Sequence, residues 1–202
     1  MPHSIAQIES LLERGAVRLP ELLSLRRELQ APFKLHPLGF MVCTLLIEDT
    51  RRLRLHYWPA AGGAQQSPEC QIHDHLFEFR SWVLEGTVEN IVYVPSPEGA
   101  EHAVYEAQYA GDRSILTKTA ATLLLAVQYR SAYPAGSCYA VGASVLHETV
   151  RLGPTPAFTV LVTNDVSEAS PLVLGPMNGQ QTYVYHREIV PEAVVAELLA
   201  EA

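Results

Sequence analysis

Cysteine is scarce in this chain of 202 residues. There are three, Cys43, Cys70 and Cys138, an odd number with no C-x-x-C spacing. They cannot pair completely, which excludes a disulfide scaffold and suits a reducing, cytoplasmic setting. Positive charge is also short. Fourteen Lys and Arg against 22 Asp and Glu leave a net charge of −8, so a general electrostatic grip on nucleic acid or anionic lipid is not expected. Long apolar runs are missing as well. Stretches such as 122–127 fall far below the ~20 residues of a membrane span. The start, Met1-Pro2-His3-Ser4, leads into a charged amphipathic stretch rather than a signal peptide. No repeat and no linker divides the chain, so residues 1–202 are expected to form one domain. What is present, 48% apolar against 18% charged residues, excludes a disordered chain and suffices for a core.

Residues 4–30 carry helical periodicity. Ser4 is placed to cap a helix with Ile5, Ile8, Leu11 and Leu12 on one face. Gly15 punctuates, and Pro20 sits where a first helical turn tolerates it, ahead of Leu22, Leu23, Leu25 and Leu29. From residue 38 to 187 the texture is β. Short strands are expected at 39–47, 53–58, 73–84, 87–94, 102–109, 122–133, 137–141, 145–152, 158–163 and 181–187, with a loop at 95–99. Many short strands with closely spaced turns point to a sandwich or barrel. A C-terminal helix spans 191–200. The terminal helices are amphipathic and are expected to pack outside the barrel or to share in a homodimer contact.

Eight histidines stand out, two of them in His73-Asp74-His75. Strand alternation sends residues 73, 75, 77 and 79 to one face, with the two imidazoles about 7 Å apart along it. They can converge on one ion, and zinc, iron, nickel and copper all accept imidazole nitrogen. H-x-H alone also describes two histidines on a half-exposed strand.

The surrounding spacing resembles the cupin superfamily. Its first motif, G-x5-H-x-H-x3,4-E-x6-G, meets His73, His75 and Gly86 here; its second, G-x5-P-x-G-x2-H-x3-N, meets Gly136 and His147. The resemblance spans residues 73–151. It implies an all-β fold, the cupin double-stranded barrel or jelly roll, and a metal held by His73, His75 and His147. The departures are Ser67 for the first Gly, Phe79 for the usual carboxylate ligand, Gly142 for the Pro, Ser144 for the next Gly and Arg151 for the Asn. Glu78 and Asp74 have the opposite parity to the histidines, so the site implied is three neutral imidazoles without a carboxylate. Thiol dioxygenases of the cysteine dioxygenase type share such a set, and the chain is similar to them at Ile72-His73-Asp74-His75. Their substrate-gripping Arg, cross-linking Cys and catalytic His and Tyr have no counterpart near Leu45, Arg80 or Ser81, Leu161 and Thr163.

The function this implies is a mononuclear metal enzyme acting on a small molecule. An iron(II) dioxygenase comes first. A zinc, nickel or manganese lyase, isomerase or cyclase, or a non-enzymatic ligand-binding cupin, stand beside it. Three further residues are candidates for catalysis. Arg151, four residues past His147 and of the same parity, offers a planar fork for an anionic substrate, or lies on the rim in solvent. His56 shares a face with Arg54 and Trp58, opposite Leu53, Leu55 and Tyr57; either face can line a barrel. Tyr139, beside the turn at 134–136, offers a phenol as proton donor. Cys70 offers a fourth ligand or an ordinary loop thiol.

Overall fold

A computed structural model describes residues 4–60, 62–63 and 65–200. Met1–His3, where the sequence was read as lacking a leader, lie outside them. Two helices come first, α1 (Ile5–Glu13) and α2 (Leu19–Glu28). Ser4 caps α1 in a reciprocal capping box: its hydroxyl accepts from Gln7 N, and the Gln7 side chain accepts from Ser4 N, each at 3.2 Å. Eleven strands follow: β1 (Phe33–Leu35), β2 (Met41–Glu48), β3 (Arg51–Trp58), β4 (Phe77–Glu85), β5 (Thr87–Ala110), β6 (Arg113–Pro134), β7 (Cys138–Val141), β8 (His147–Leu152), β9 (Ala157–Asp165), β10 (Leu172–Gly175) and β11 (Thr182–His186). Helix α3 (Glu192–Ala200) closes the chain. No described helix is long and apolar enough to cross a membrane.

The strands pair antiparallel in two sheets. One runs β1-β2-β3-β9-β4-β7. The other runs β10-β5-β6-β11, with β8 also on β5. The long β5 pairs with β8 through its first half and with β10 through its second. Between the sheets lies a core of Phe40, Trp58, Phe79, Val83, Val88, Tyr139, Val141 and Leu161. A second core lies outside the six-stranded sheet, where Leu53, Leu55 and Tyr57 of β3 pack against Ile5, Ile8, Leu12, Leu22, Leu25 and Val195 of the helices. The architecture is all-β, a double-stranded barrel of two antiparallel sheets with the helices packed outside.

The alternation of β3 is thereby resolved. Leu53, Leu55 and Tyr57 face the helices, so Arg54, His56 and Trp58 face the barrel interior. The β4–β5 turn depends on Gly86. Its φ is +70°, and a β-carbon there would stand 2.4 Å from Pro156 O.

Four expectations change. The strand expected at 122–133 starts earlier, at Arg113, as β6. The strands expected at 87–94 and 102–109 are one strand: Pro95 and Ala100 both oppose Leu125, so the turn-rich residues between them bulge out and the ladder resumes. Strand β4 begins at Phe77 rather than at His73. Strands β1 and β10, of three and four residues, carry too little pattern to read, and exist because longer neighbours supply their hydrogen bonds.

Candidate metal centre

His73 lies in an extended segment that bridges β8 and β10. Its N–H donates to His147 O at 3.0 Å, and the His147 N–H returns a bond to His73 O at 2.9 Å. The two residues therefore stand directly opposite as a hydrogen-bonded antiparallel pair, with their side chains on one face. His75, two residues on, regains that face, and its carbonyl accepts from Ser144 N at 3.0 Å. The imidazole centroids lie 4.7 Å (His73 to His75), 4.9 Å (His73 to His147) and 5.1 Å (His75 to His147) apart. One ligand nitrogen from each falls within 4.8 Å of the others.

The backbone sets the tautomers of two rings. His73 Nδ1 is 2.7 Å from Gln71 O and His147 Nδ1 is 3.0 Å from Val145 O. A carbonyl only accepts, so each Nδ1 carries the proton and each Nε2 keeps its lone pair. Burial lowers all three pKa values. His147 falls to about 3, through burial and then the nearness of His73. His73 falls through burial, partly opposed by its bond to Gln71. His75 falls through burial and its two neighbours. All three are neutral near pH 7, the form that ligates metal. This donor set fits a divalent transition ion held by three imidazoles.

Among the described residues, no carboxylate joins the set. Asp74 points away and accepts from Leu172 N at 2.6 Å, pinning the segment. Glu78 accepts from Asn164 Nδ2 at 3.2 Å on the outer side. Phe79 is 5% exposed and sets its ring 5.8 Å from His75 and 5.7 Å from His147. Phe77 stacks on His75 at 4.3 Å. Where the family motif has a carboxylate, this chain has a hydrocarbon wall.

The histidines open on a cavity of about 320 Å³. His56 and Tyr139 both line it. His56 Nε2 is buried without a hydrogen-bond partner, and burial, with Arg54 beside it, lowers the pKa to about 3. Tyr139 packs on Phe79 and stacks on Tyr133 at 4.4 Å. Burial raises its pKa, with Ser81 and Thr149 opposing, so the phenol keeps its proton.

Arg151 does not join them, which corrects the expectation of a substrate clamp. Its guanidinium donates to the carbonyls of Pro59, Ala60, Gly153 and Thr155, and it lines an adjoining pocket with Gly62 and Gln65 rather than the histidine cavity. A fork saturated by four carbonyls ties two loops together and has little left for a ligand. Cys70 is not in the three-histidine group; it lines a small neighbouring pocket with His73 and His75, and its Sγ accepts from the Tyr185 hydroxyl at 3.9 Å.

The cationic residues that do line the cavity are Lys34, Arg54 and Arg187, none of which the sequence assigned a role. Arg54 had a legible signal, its shared parity with His56. Arg187 had none, because it lies 133 positions further along and reaches the cavity only through the chain's return.

The His56 pKa has a consequence for the metal-free protein. Above the ordinary value of 6.5, folded and unfolded chains are both neutral at this ring. Between 6.5 and about 3 only the unfolded chain takes the proton, so stability falls as pH drops through that window, by about 1.4 kcal/mol per pH unit for one group. Denaturant unfolding at pH 7 and pH 5 is expected to show His56→Phe losing about 2 kcal/mol less than wild type over that interval. Equal losses would show that His56 is not a buried neutral ring.

No family model matches the chain, and no curated protein matches its sequence. Among solved structures it is similar to Cellulomonas parahominis L-ribose isomerase. Without ligand, that isomerase is 16% identical, with a TM-score of 0.40 over 91% of this chain and 94% of the isomerase. With L-ribose bound it is 15% identical, with a TM-score of 0.40 over 73% and 81%. A crystal structure of DMSP lyases is 14% identical with a TM-score of 0.35 over 65% of this chain, and the chain spans about half, 51%, of that lyase's length.

Proposed function

We propose that this chain is a mononuclear metal-dependent enzyme acting on a small molecule, an iron(II) dioxygenase. The observation that carries this is the three-imidazole donor set without a carboxylate, opening on an aromatic-lined cavity. When bound, iron(II) supplies redox chemistry with dioxygen, and three neutral ligands leave it its full positive charge. The chain's own residues supply the rest. Phe40, Trp58, Phe77 and Phe79 keep bulk water out and strengthen electrostatic interactions inside. Neutral His56 offers a ligand an unpartnered Nε2 in the cavity wall, and the Tyr139 phenol lines the same cavity with its proton retained.

The same acceptor and donor favour a second reading: a lyase, isomerase or cyclase using zinc, nickel or manganese, with the proton moved between His56 and Tyr139. Elemental analysis of protein purified without oxygen, followed by oxygen-electrode traces with a panel of small thiols and acids, separates the two. About one iron per chain with substrate-dependent oxygen uptake is the expected result. Stoichiometric zinc, nickel or manganese with flat traces would replace the dioxygenase with the non-redox enzyme.

A further inference from the structure

Charge inside the cavity is segregated against the composition. The chain has 22 acidic residues and 14 basic ones, yet among the described residues no Asp or Glu lines the cavity while Lys34, Arg54 and Arg187 do. Neighbouring arginines on β3 are neutralised within the fold: Arg51 pairs with Glu9, and Arg52 with Asp165. Arg54 has no such partner among the described residues. Its guanidinium lies 4.9 Å over the Phe77 ring, the same ring that stacks on His75, and its Nε is buried without any hydrogen bond. Arg187 donates from Nε to Ser114 Oγ at 2.6 Å and sits 5.1 Å over Tyr109. It too has no carboxylate in reach among the described residues. Removing a charge from water without a counter-ion costs several kcal/mol. A fold that neutralises Arg51 and Arg52 with carboxylates and leaves Arg54 and Arg187, the latter also 3.4 Å from His36 Nε2, without a carboxylate at a cavity is arranged for an anion from outside.

We propose that the cavity binds a small organic acid, with its oxyanion group neutralising Arg54 and Arg187 while the remainder of the molecule reaches the three histidines. The proposal rests on the cavity being the substrate site described above. Guanidinium forks suit carboxylate and phosphate oxygens alike. A volume near 320 Å³ sits at the small end of ligand sites. The aromatic walls fit a flat or unsaturated body. The orienting role that the sequence suggested for Arg151 passes to a residue of β3 and to one just past the end of β11.

Metal-free protein, prepared by chelation and dialysed at low salt, is titrated in a calorimeter with benzoate, with inorganic phosphate and with neutral benzamide. Saturable one-to-one binding of benzoate or phosphate is expected, weakening as salt is raised, with none for benzamide. Whichever anion binds tighter names the acid. Arg54→Met and Arg187→Met are each expected to weaken binding about 10–100-fold, the worth of hydrogen bonds to a charged group. Arg130→Met, at an exposed pair with Glu89, leaves the Kd unchanged. If Arg54→Met does not fold by circular dichroism, Arg187→Met carries the test alone. No saturable binding of either anion, benzamide binding equally well, or an unchanged Kd in the folded variants overturns the proposal. Binding by metal-free protein is independent of turnover. Anion binding with flat oxygen traces sinks the dioxygenase and keeps the subsite; oxygen uptake without anion binding does the reverse.

Discussion

His147→Ala is expected to purify with almost no metal and with its barrel intact. The imidazole is 2% exposed, and its Nδ1–H is spent on Val145 O, so Nε2 has no role in the fold except toward the cavity. Two remaining imidazoles make a poor site. Loss of a partner that merely orients a ligand already costs 10–100-fold in metal affinity, and loss of the ligand itself costs more. The bonds that hold the two histidine segments together run between backbone atoms of His73 and His147, so alanine keeps them. The same argument covers His73→Ala and His75→Ala. Elemental analysis against wild type, alongside a thermal melt, checks it. Stoichiometric metal in all three variants would place the ion elsewhere.

Phe79→Glu is expected to make stability depend on metal. The wild-type ring is 5% exposed and packs within 6 Å of the His75 and His147 ring centroids. Without metal, the variant loses a buried phenyl, worth about 3–5 kcal/mol when truncated. It also places a carboxyl among apolar walls and neutral imidazoles, which it answers by protonating. The expected fall in Tm is about 10 °C or more. With metal, the carboxylate has a cation to pair with, so added iron(II) or zinc should restore far more Tm than it adds to wild type. The variant is expected to retain metal and to lose most activity, because a charged ligand lowers the net charge of the site. A melt that ignores metal, or a variant that fails to hold it, would mean that residue 79 does not reach the ion.

Much of this architecture was legible because it is local. Period-3.6 apolar positions and the Ser4 cap marked α1, and alternation marked β3. The parity of 73, 75, 77 and 79 placed two imidazoles and two phenyl rings on one face. Elements that borrow their stability from neighbours were not legible: β10 is four residues with no pattern of its own, and the residues between Pro95 and Ala100 read as a loop because turn chemistry cannot reveal that a strand resumes beyond it. Arg151 shows the limit of parity. It lies on the expected strand four residues past His147, but its long side chain is captured by the carbonyls of Pro59, Ala60, Gly153 and Thr155, acceptors whose positions depend on how two loops close.

By itself, the sequence determined an all-β chain with outer helices and a pair of histidines aimed the same way, because side-chain direction along a strand follows from backbone geometry alone. The tertiary structure decided which face of β3 is inside, since the helices cover whichever face is more apolar, and they took Leu53, Leu55 and Tyr57. It also decided the charge of the cavity. Arg54 and Arg187 lie far apart in sequence, and whether an arginine ends against a carboxylate, a carbonyl or an open cavity depends on which distant strands the barrel brings beside it.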